Sequence, residues 1–384
     1  MLIDTYLFYK LFLACYSTHM LLSFIGFFGT VSALIGLLSV VIYKVFSHVY
    51  GGNYAQYIYI LKGLLIIMPA IMIISMSIAT RQYSFVNKLF YVTAATWMAL
   101  FVYLFLLAVI FGVLTALFPQ SSFAPYLTIS ICASILAIGY GVWNASQPVV
   151  KHVTMHIPEL APDWQGKNIV LISDTHLGIV RSESFMKKVV NKINSANPDA
   201  VFIAGDLIDG PRFDYVRGLS PLADIVAPLG IFYTPGNHEA YNTEEAVFYA
   251  ALPKNVTLLR DQKITINNTE IIGIDFANES LENTTARLLY TKYNPQMPTI
   301  AMLHDPKNMR ALSDKSINLV FSGHTHGGQF FPNTLVVRSL YKKYTKGITQ
   351  TDKTWSYTTI GVGTALSPVR IGTTPEIVVL HIEP

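Results

Sequence analysis

The first 150 residues of this chain carry almost no charge. Only six charged side chains lie there, whereas residues 151 to 384 contain the other 44. The six are Asp4, Lys10, Lys44, Lys62, Arg81 and Lys88. Charged residues make up 13% of the whole chain, compared with about 25% in an ordinary soluble protein. Two different environments have therefore shaped the sequence, and only its second part has the composition of a water-soluble domain.

Apolar stretches in the first part are long enough to cross a bilayer. A spanning helix needs roughly 20 apolar residues, and residues 20–43 contain no charged side chain. Asp4 and Lys10 interrupt residues 1–18, which favours a helix lying in the membrane interface. A large buried helical core is the alternative, but the small number of charges disfavours it. We predict an all-α membrane domain with four transmembrane helices, at about 20–43, 63–79, 89–118 and 124–143.

Basic residues near the spans predict the orientation of the chain in the membrane. With four spans, both ends lie on the same side. That side carries four basic residues against two on the other side: Lys10, Arg81, Lys88 and Lys151 against Lys44 and Lys62. The motif Asn278-Glu279-Ser280 would favour the opposite orientation if it were glycosylated. We predict an integral, multi-pass membrane protein with its soluble part in the cytoplasm.

The second part alternates short apolar runs with helix-like stretches, which is typical of an α/β domain. Its 22 basic and 22 acidic residues balance, so the composition predicts no nucleic-acid partner. Both cysteines, Cys15 and Cys132, lie in the apolar part. The soluble part therefore has neither a disulfide framework nor a cysteine-ligated zinc site. We predict a membrane domain over 1–147, a linker over 148–166 and a soluble domain over 167–384.

Five apolar runs in the soluble part end in residues that commonly bind metals. Ligands collect at the carboxyl ends of strands in open α/β sheets, and imidazole, carboxylate and amide oxygen are ligands of first-row metals. Each fragment alone is a weak signal, but five in order predict a metal site. They are Asp174-Thr175-His176, Gly205-Asp206-Leu207-Ile208-Asp209, Gly236-Asn237-His238-Glu239, His304-Asp305 and Gly323-His324-Thr325-His326.

These five blocks resemble those of the calcineurin-like metallophosphoesterase superfamily, over roughly residues 167 to 384. The ending Gly361 to Arg370 is more narrowly similar to the membrane-linked branch, which includes transmembrane proteins with a metallophosphoesterase domain. The resemblance implies a four-layer α/β/β/α sandwich with two divalent metal ions at one edge. Manganese, iron, zinc or cobalt would all suit a ligand set made only of oxygen and nitrogen atoms.

The resemblance also implies a role for each residue of the blocks. Asp206 would bridge the two metals, and a bridging hydroxide would attack the phosphorus, since a bound metal lowers the pKa of water from 15.7 to about 7. His238 would be the general acid, and Asp209 would hold its imidazole. The implied metal ligands are Asp174, His176, Asp206 and His326 for one ion, and Asp206, Asn237, His304 and His324 for the other.

Four further features allow two interpretations each. Arg370 either binds a substrate phosphate or forms a structural salt bridge. Glu239 and Asp305 either orient the metal ligands or are ordinary buried polar groups. The aromatic and basic residues between 330 and 344 either rest on lipid headgroups or pack in the core around a charged loop, and the second alternative is slightly favoured.

We expect a membrane-anchored phosphoesterase that cleaves a phosphomonoester, phosphodiester or pyrophosphate. Anchoring by four helices favours a substrate presented at the bilayer, such as a phospholipid or another lipid-linked compound. The alternative is a membrane sensor, transporter or scaffold with a non-catalytic phosphoesterase-like domain. The complete ligand set disfavours this alternative, and so does the lack of intramembrane charges apart from Lys62.

Overall fold

A computed structural model describes residues 30–79, 84–210, 213–276, 281–313 and 315–384. The interfacial helix expected over residues 1–18, the start of the first span, Arg81 and the motif at Asn278 lie outside these residues. The described chain divides into two compact units. One contains residues 30–70 and 100–135, and the other contains the rest of the described residues, including residues 136–384.

The described residues contain four apolar helices that are long enough to cross a membrane, which agrees with the predicted number of spans. The most apolar 18-residue segment of each helix has a mean hydropathy between 1.6 and 2.8, and at most 22% of such a segment is buried. Side chains such as Leu136 and Ile129 are more than 60% exposed; this would be costly in water, so it favours a lipid environment over a buried helical core. The helices are α1 (Thr30–Tyr50), α2 (Ala55–Ala79), α3 (Phe85–Leu117) and α4 (Ala124–Ala145).

Helix α2 begins at Ala55, earlier than the start predicted near Gly63. The prediction stopped at Lys62 because a charged side chain is unfavourable within a span. In the structure the Lys62 ammonium lies 5.5 Å from the centre of the Tyr43 ring, in a cation–π arrangement. The helix therefore includes the charged residue, whose ammonium group has an aromatic partner.

The soluble part contains two six-stranded sheets, which pack face to face. Their strand orders are β1-β12-β2-β3-β4-β5 and β10-β11-β9-β8-β7-β6. Strands β2 to β5 are parallel, as are β7, β8 and β9. The strands are β1 (Val149–His156), β2 (Asn168–Ile172), β3 (Ala200–Ala204), β4 (Gly230–Thr234), β5 (Val256–Leu258), β6 (Gln262–Ile266), β7 (Thr269–Ile274), β8 (Thr299–Leu303), β9 (Leu319–Ser322), β10 (Gly347–Thr351), β11 (Thr354–Thr358) and β12 (Glu376–Glu383).

Alternating side chains of the central strands build separate cores on the two faces of each sheet. Leu171 and Phe202 lie between the sheets with Met302 and Phe321, whereas Val170 faces the outer helices. Two helices, α7 (Asn237–Ala240) and α11 (Asn333–Tyr341), lie in the connections between β4 and β5 and between β9 and β10. The helices that pack on the first sheet are α5 (Glu183–Ser195), α6 (Tyr215–Leu219) and α8 (Glu245–Ala250), and those that pack on the second sheet are α9 (Leu281–Tyr290) and α10 (Arg310–Ser313). This α/β/β/α order confirms the expected fold class.

The segment predicted as a linker contains strand β1, which pairs in parallel with β12 along its whole length. Its side chains are mostly exposed or half-buried, so the segment lacks the continuous apolar run that marked the inner strands. Strand β1 starts four residues after Ala145, the last residue of α4. The membrane helix is therefore joined to the edge of the first sheet by a very short connection.

Candidate metal centre

The polar blocks meet at one edge of the two sheets because each follows the carboxyl end of a central strand. Asp174 follows β2, Asp206 follows β3 and His304 follows β8. Hydrogen bonds tie these loops together across the sheets: the main-chain N–H of His324 donates to the carboxylate of Asp174 at 3.0 Å. The parallel order of the strands thus brings distant sequence blocks to one place.

The first group of side chains contains Asp174, His176 and His326, all buried, with candidate ligand atoms within 4.8 Å of one another. The Nε2 atoms of the two imidazoles are 3.1 Å apart. Nε2 of His326 lies 3.4 Å from Oδ1 of Asp174. Two imidazoles and a carboxylate that point their donor atoms at one spot form a suitable site for a divalent cation.

The second group contains Asp206, His304 and His324, again within 4.8 Å. Oδ2 of Asp206 lies 3.2 Å from Nε2 of His304 and 3.7 Å from Nε2 of His176. Nδ1 of His304 donates to the main-chain oxygen of Ala204 at 2.6 Å, which leaves Nε2 free to bind a metal. The carboxylate of Asp206 therefore faces both groups.

Asn237 supplies a further oxygen. Its Oδ1 is buried and has no hydrogen-bond donor in the described part of the chain. Such an acceptor is costly unless something else satisfies it, and a cation would do so. The preceding Gly236 packs directly against Asp206, since a Cβ at this position would overlap the Asp206 carboxylate. Asn237 thus begins α7 beside the carboxylate that faces both groups.

The electrostatics of the centre favour bound positive charge. Burial lowers the pKa of His304, but the carboxylates of Asp206 and Asp174 outweigh it and raise this pKa to about 10. His176 behaves similarly: burial lowers its pKa, and a hydrogen bond to Asp209 with the nearby carboxylates raises it to about 9. Burial and neighbouring cationic groups lower the pKa of His326. The negative charge of these buried carboxylates therefore favours the binding of a metal cation.

The backbone at the centre adopts a conformation that is rare for residues other than glycine. Five of the predicted ligands have positive φ angles between 47° and 71°: Asp174, His176, Asp206, His324 and His326. This left-handed region is uncommon outside turns and is often found at functional sites. The five residues turn sharply out of their strands, and the turns direct their side chains to the shared edge.

Asp209 contacts two histidines with different groups. Its main-chain oxygen lies 2.9 Å from Nδ1 of His238. Its carboxylate lies 3.2 Å from Nδ1 of His176 and 3.6 Å from Nδ1 of His238. The sequence-based expectation placed this carboxylate on His238, whereas in the structure it is closer to the predicted metal ligand His176. His238 also approaches Asp206 and His176 closely enough to form a third candidate ligand group.

We expect Asp209→Asn to impair metal binding as well as turnover. The carboxylate orients the His176 ring through Nδ1, and partners of this kind typically contribute about 10- to 100-fold in metal affinity. Competition with a chelator would measure the affinity. Asp214→Asn is a control, because the Asp214 carboxylate accepts from the main-chain N–H of Arg217 at the start of α6. Unchanged affinity in Asp209→Asn would contradict this role.

Glu239 is fully buried and connects the loops that follow β3 and β4. Its carboxylate accepts hydrogen bonds from the main-chain N–H groups of Asp206 at 2.9 Å, Gly236 at 2.7 Å and Ile208 at 3.1 Å. Burial and the nearby Asp206 charge raise its pKa, and the hydrogen bonds from Gly236 and Ile208 oppose this rise. The sequence alone left the role of Glu239 open. These contacts favour a residue that braces the loop of Asp206 over an ordinary buried polar group.

We expect Glu239→Ala to destabilise the soluble part by about 2 kcal/mol or more, since a lost acceptor leaves buried N–H groups unpaired. Chemical denaturation of the full chain in detergent, followed by tryptophan fluorescence, would measure the change. Glu159→Ala is the matched control because Glu159 is exposed. Equal stability of the two variants would contradict the bracing role.

Arg370 is buried completely and its guanidinium faces the backbone. It donates to the main-chain oxygens of Ile360 at 2.7 Å and Gly363 at 2.8 Å, and Nη2 lies 3.3 Å from Nδ1 of His326. These contacts favour a supporting role behind His326 over direct contact with a substrate phosphate.

Asp305 caps the turn after β8, where its carboxylate accepts a hydrogen bond from the main-chain N–H of Lys307. The other carboxylate oxygen of Asp305 lies 3.8 Å from Nε2 of His324.

Asn144, near the end of α4, was not identified from the sequence. Its side-chain amide donates to the main-chain oxygens of Arg370 at 3.0 Å and Thr373 at 2.9 Å. The only signal in the sequence is an asparagine at the end of an apolar span, which is compatible with many roles. The contact links the last turn of a membrane helix to the residue that lies behind a predicted metal ligand.

Comparisons with known proteins identify the family. The sequence profile of the calcineurin-like phosphoesterases matches residues 167–328. An uncharacterized metallophosphoesterase of Campylobacter jejuni is 32% identical over 259 residues, which cover 66% of this chain and 68% of that protein. This chain belongs to the calcineurin-like metallophosphoesterase family. The match confirms the resemblance that the five motif blocks indicated.

Two other relatives extend the comparison of this metallophosphoesterase. The bovine "transmembrane protein with metallophosphoesterase domain" is 30% identical, over 67% of this chain and 62% of that protein. The UDP-2,3-diacylglucosamine pyrophosphatase of Chlamydia trachomatis is 28% identical, over 55% and 83%. The matched region spans only 65% of the length of a Helicobacter pylori relative. The bovine name and the four apolar helices together indicate membrane association.

Proposed function

We propose that this chain is a membrane-anchored phosphoesterase that uses two divalent cations to cleave a phosphomonoester, phosphodiester or pyrophosphate bond. The observation that carries the proposal is the position of Asp206. Its carboxylate lies 3.7 Å from Nε2 of His176 and 3.2 Å from Nε2 of His304, and so faces both ligand groups. A carboxylate shared by two cations offsets part of their mutual repulsion, as two-metal catalysis requires.

Seven residues would hold the cations. Asp174, His176 and His326 would bind one together with Asp206, and Asn237, His304 and His324 would bind the other together with Asp206. Manganese, iron, zinc and cobalt all accept this set of oxygen and nitrogen donors. The bound cations would supply an activated water molecule and neutralise charge on the phosphate oxygens.

His238 would donate the proton to the leaving group. Nδ1 of its ring lies 2.9 Å from the main-chain oxygen of Asp209, so Nδ1 keeps its proton and Nε2 is the atom that exchanges a proton with a substrate. The side chain is 27% exposed, unlike the buried His176 and His304. This exposure supports contact with a substrate.

A lipid-linked substrate fits the membrane association. Four apolar helices hold the phosphoesterase domain at the bilayer, where phospholipids and lipid-linked compounds are concentrated. The Chlamydia trachomatis relative is named as a pyrophosphatase of a diacylated sugar nucleotide, which supports the same class of substrate here. A screen of the purified protein against extracted membrane lipids would test this assignment, and a preference for short water-soluble esters over every lipid would oppose it.

Activity of the full chain in detergent tests the basic proposal. We expect turnover of an aryl phosphate with added Mn²⁺, loss of turnover with a chelator, and recovery when metal is restored. Metal analysis of the purified protein should approach two equivalents. A metal-free protein without turnover under any divalent ion would instead favour the scaffold or sensor alternative.

We also propose that the phosphoesterase domain lies in the cytoplasm, on the basis of the basic residues that flank the spans. Glu159 is exposed and belongs to none of the metal blocks, so Glu159→Cys can report on topology once Cys15 and Cys132 are replaced by alanine. A membrane-impermeant maleimide should label this cysteine in lysed cells only. Labelling in intact cells would reverse the orientation.

A further inference from the structure

Helix α11 follows the Gly323-His324-Thr325-His326 block after only a few residues, yet none of its side chains is buried. Leu335, Val336 and Leu340 are 56%, 53% and 71% exposed. At 100° per residue they fall within one stripe of about 140° on the helix. Phe331, just before the helix, is 48% exposed. A water-soluble helix normally buries such a stripe, and contiguous exposed apolar surface usually marks a binding site.

Basic residues flank this stripe. Lys342 and Lys343 follow the helix and line a cavity of about 520 Å³ with Lys307, Arg310 and the apolar Leu340. Within the described residues, none of these four cations forms an ion pair with a carboxylate. Arg338 adds a further exposed positive charge on α11. A cluster of basic side chains beside apolar side chains complements a surface that is both anionic and apolar.

The start of α11 is tied to the end of a membrane helix. Phe330 forms a β-bridge with Ile371. The neighbouring Arg370 donates its main-chain N–H to the oxygen of Gly141 at 3.0 Å, and it accepts from Asn144. Gly141 and Asn144 lie in the last turns of α4, which ends at Ala145. If α4 spans the bilayer, the segment that leads into α11 lies at the membrane surface.

The other end of α11 adjoins the metal centre. The ring of Tyr341, the last residue of the helix, lies 6.1 Å from the ring of His324, measured between centroids, in an edge-on arrangement. One short helix therefore connects a membrane boundary at its start with a predicted metal ligand at its end. The expectation that the aromatic and basic stretch packs in the core holds for Tyr344, which is buried in the core of the second sheet, but not for Phe331 and Leu340, which are exposed.

We propose that α11, together with Phe331 and Lys342, lies in the headgroup layer of an anionic bilayer. The apolar stripe would enter the acyl boundary, while Arg338 and Lys342 would contact lipid phosphates, as in interfacial amphipathic helices. A lipid substrate could then reach the metal centre along α11 without leaving the membrane. This last step rests on the proposed phosphoesterase function, whereas membrane contact by α11 does not.

Lipid contact can be measured without turnover. The full chain, with Cys15 and Cys132 replaced by alanine, would be placed in nanodiscs and labelled with an environment-sensitive fluorophore at Leu340→Cys. The matched control is Val247→Cys, on α8, since Val247 is also an exposed apolar residue, at 60%. We expect nitroxide lipids to quench the label at position 340 about threefold more than at 247. Equal quenching at the two positions would overturn the proposal.

Charge reversal tests the choice of an anionic surface. In Arg338→Glu/Lys342→Glu, quenching at position 340 should fall in nanodiscs of three parts phosphatidylcholine to one part phosphatidylglycerol. It should change little in pure phosphatidylcholine. Quenching that does not depend on the anionic lipid or on these charges would overturn the electrostatic part of the proposal.

Kinetics separate this proposal from the proposed function. With a phosphorylated lipid in the same anionic nanodiscs, the charge-reversed variant should show a KM raised by about 10-fold or more, because two attractive charges become repulsive. Its kcat/KM for the soluble nitrophenyl phosphate should stay within about twofold of the parent, since neither residue belongs to the metal centre. Absent turnover in the parent would refute the function alone, whereas equal losses on both substrates would overturn the role of α11.

Discussion

Asp206→Asn should abolish both metal binding and turnover, and we expect the largest loss of any single substitution in this protein. An amide cannot neutralise two cations, and the second-group ligand His304 would lose the carboxylate that lies 3.2 Å from its Nε2. A metal contributes several kcal/mol of transition-state stabilisation, and each 1.36 kcal/mol is a factor of ten. The value of kcat/KM should therefore fall by about 10³-fold or more.

Metal analysis after dialysis and turnover of an aryl phosphate would measure the two effects together. Asp199→Asn is a suitable control, because Asp199 directly precedes β3, at the end of the strand opposite to Asp206, and pairs with Lys167 at 3.3 Å. Retention of two metal equivalents in Asp206→Asn would show that the carboxylate does not bridge the ions. Loss of one equivalent alone would assign it to a single ion.

His238→Ala should fail in a different way, with both metals retained and turnover lost. A general acid typically contributes about 10²- to 10⁴-fold, and the His238 ring is held by the Asp209 carbonyl at 2.9 Å, in a position to serve this role. The loss should be greatest for esters with a poor leaving group. It should be smallest for a nitrophenyl ester, because nitrophenolate departs without a proton.

The metal count of this variant is informative because the geometry alone admits another role. His238 lies close enough to His176 and Asp206 for the three to bind a cation. Loss of metal in His238→Ala would make His238 a ligand. Equal losses for activated and unactivated esters would remove the assignment as general acid even if both metals stayed bound.

Much of the metal centre could be predicted because strand ends in parallel sheets meet at one edge. The blocks around Asp174, Asp206 and His304 each follow an apolar run, and those runs form β2, β3 and β8 at the centres of the two sheets. The pattern of apolar and polar residues therefore predicted which blocks come together. The order of blocks along the chain carried the resemblance to the family.

Other features of the centre depend on atoms that no local pattern specifies. The positive φ angles of His176 and His326 arise from turns braced by neighbouring strands. Glu239 acts as a brace because three N–H groups from two loops converge on it. The carboxylate of Asp209 lies nearer His176 than His238, and nothing in the spacing of these residues distinguishes the two partners.

The sequence by itself determined the division between apolar and charged parts, the four membrane helices and the residue types of the metal centre. These follow from composition and periodicity, since the burial of a side chain depends first on its own chemistry. The tertiary structure alone decided that Asn144 contacts Arg370 and that the apolar stripe of α11 stays exposed. A sequence pattern shows that a helix has an apolar face, but only the packing of distant segments decides whether protein or lipid covers it.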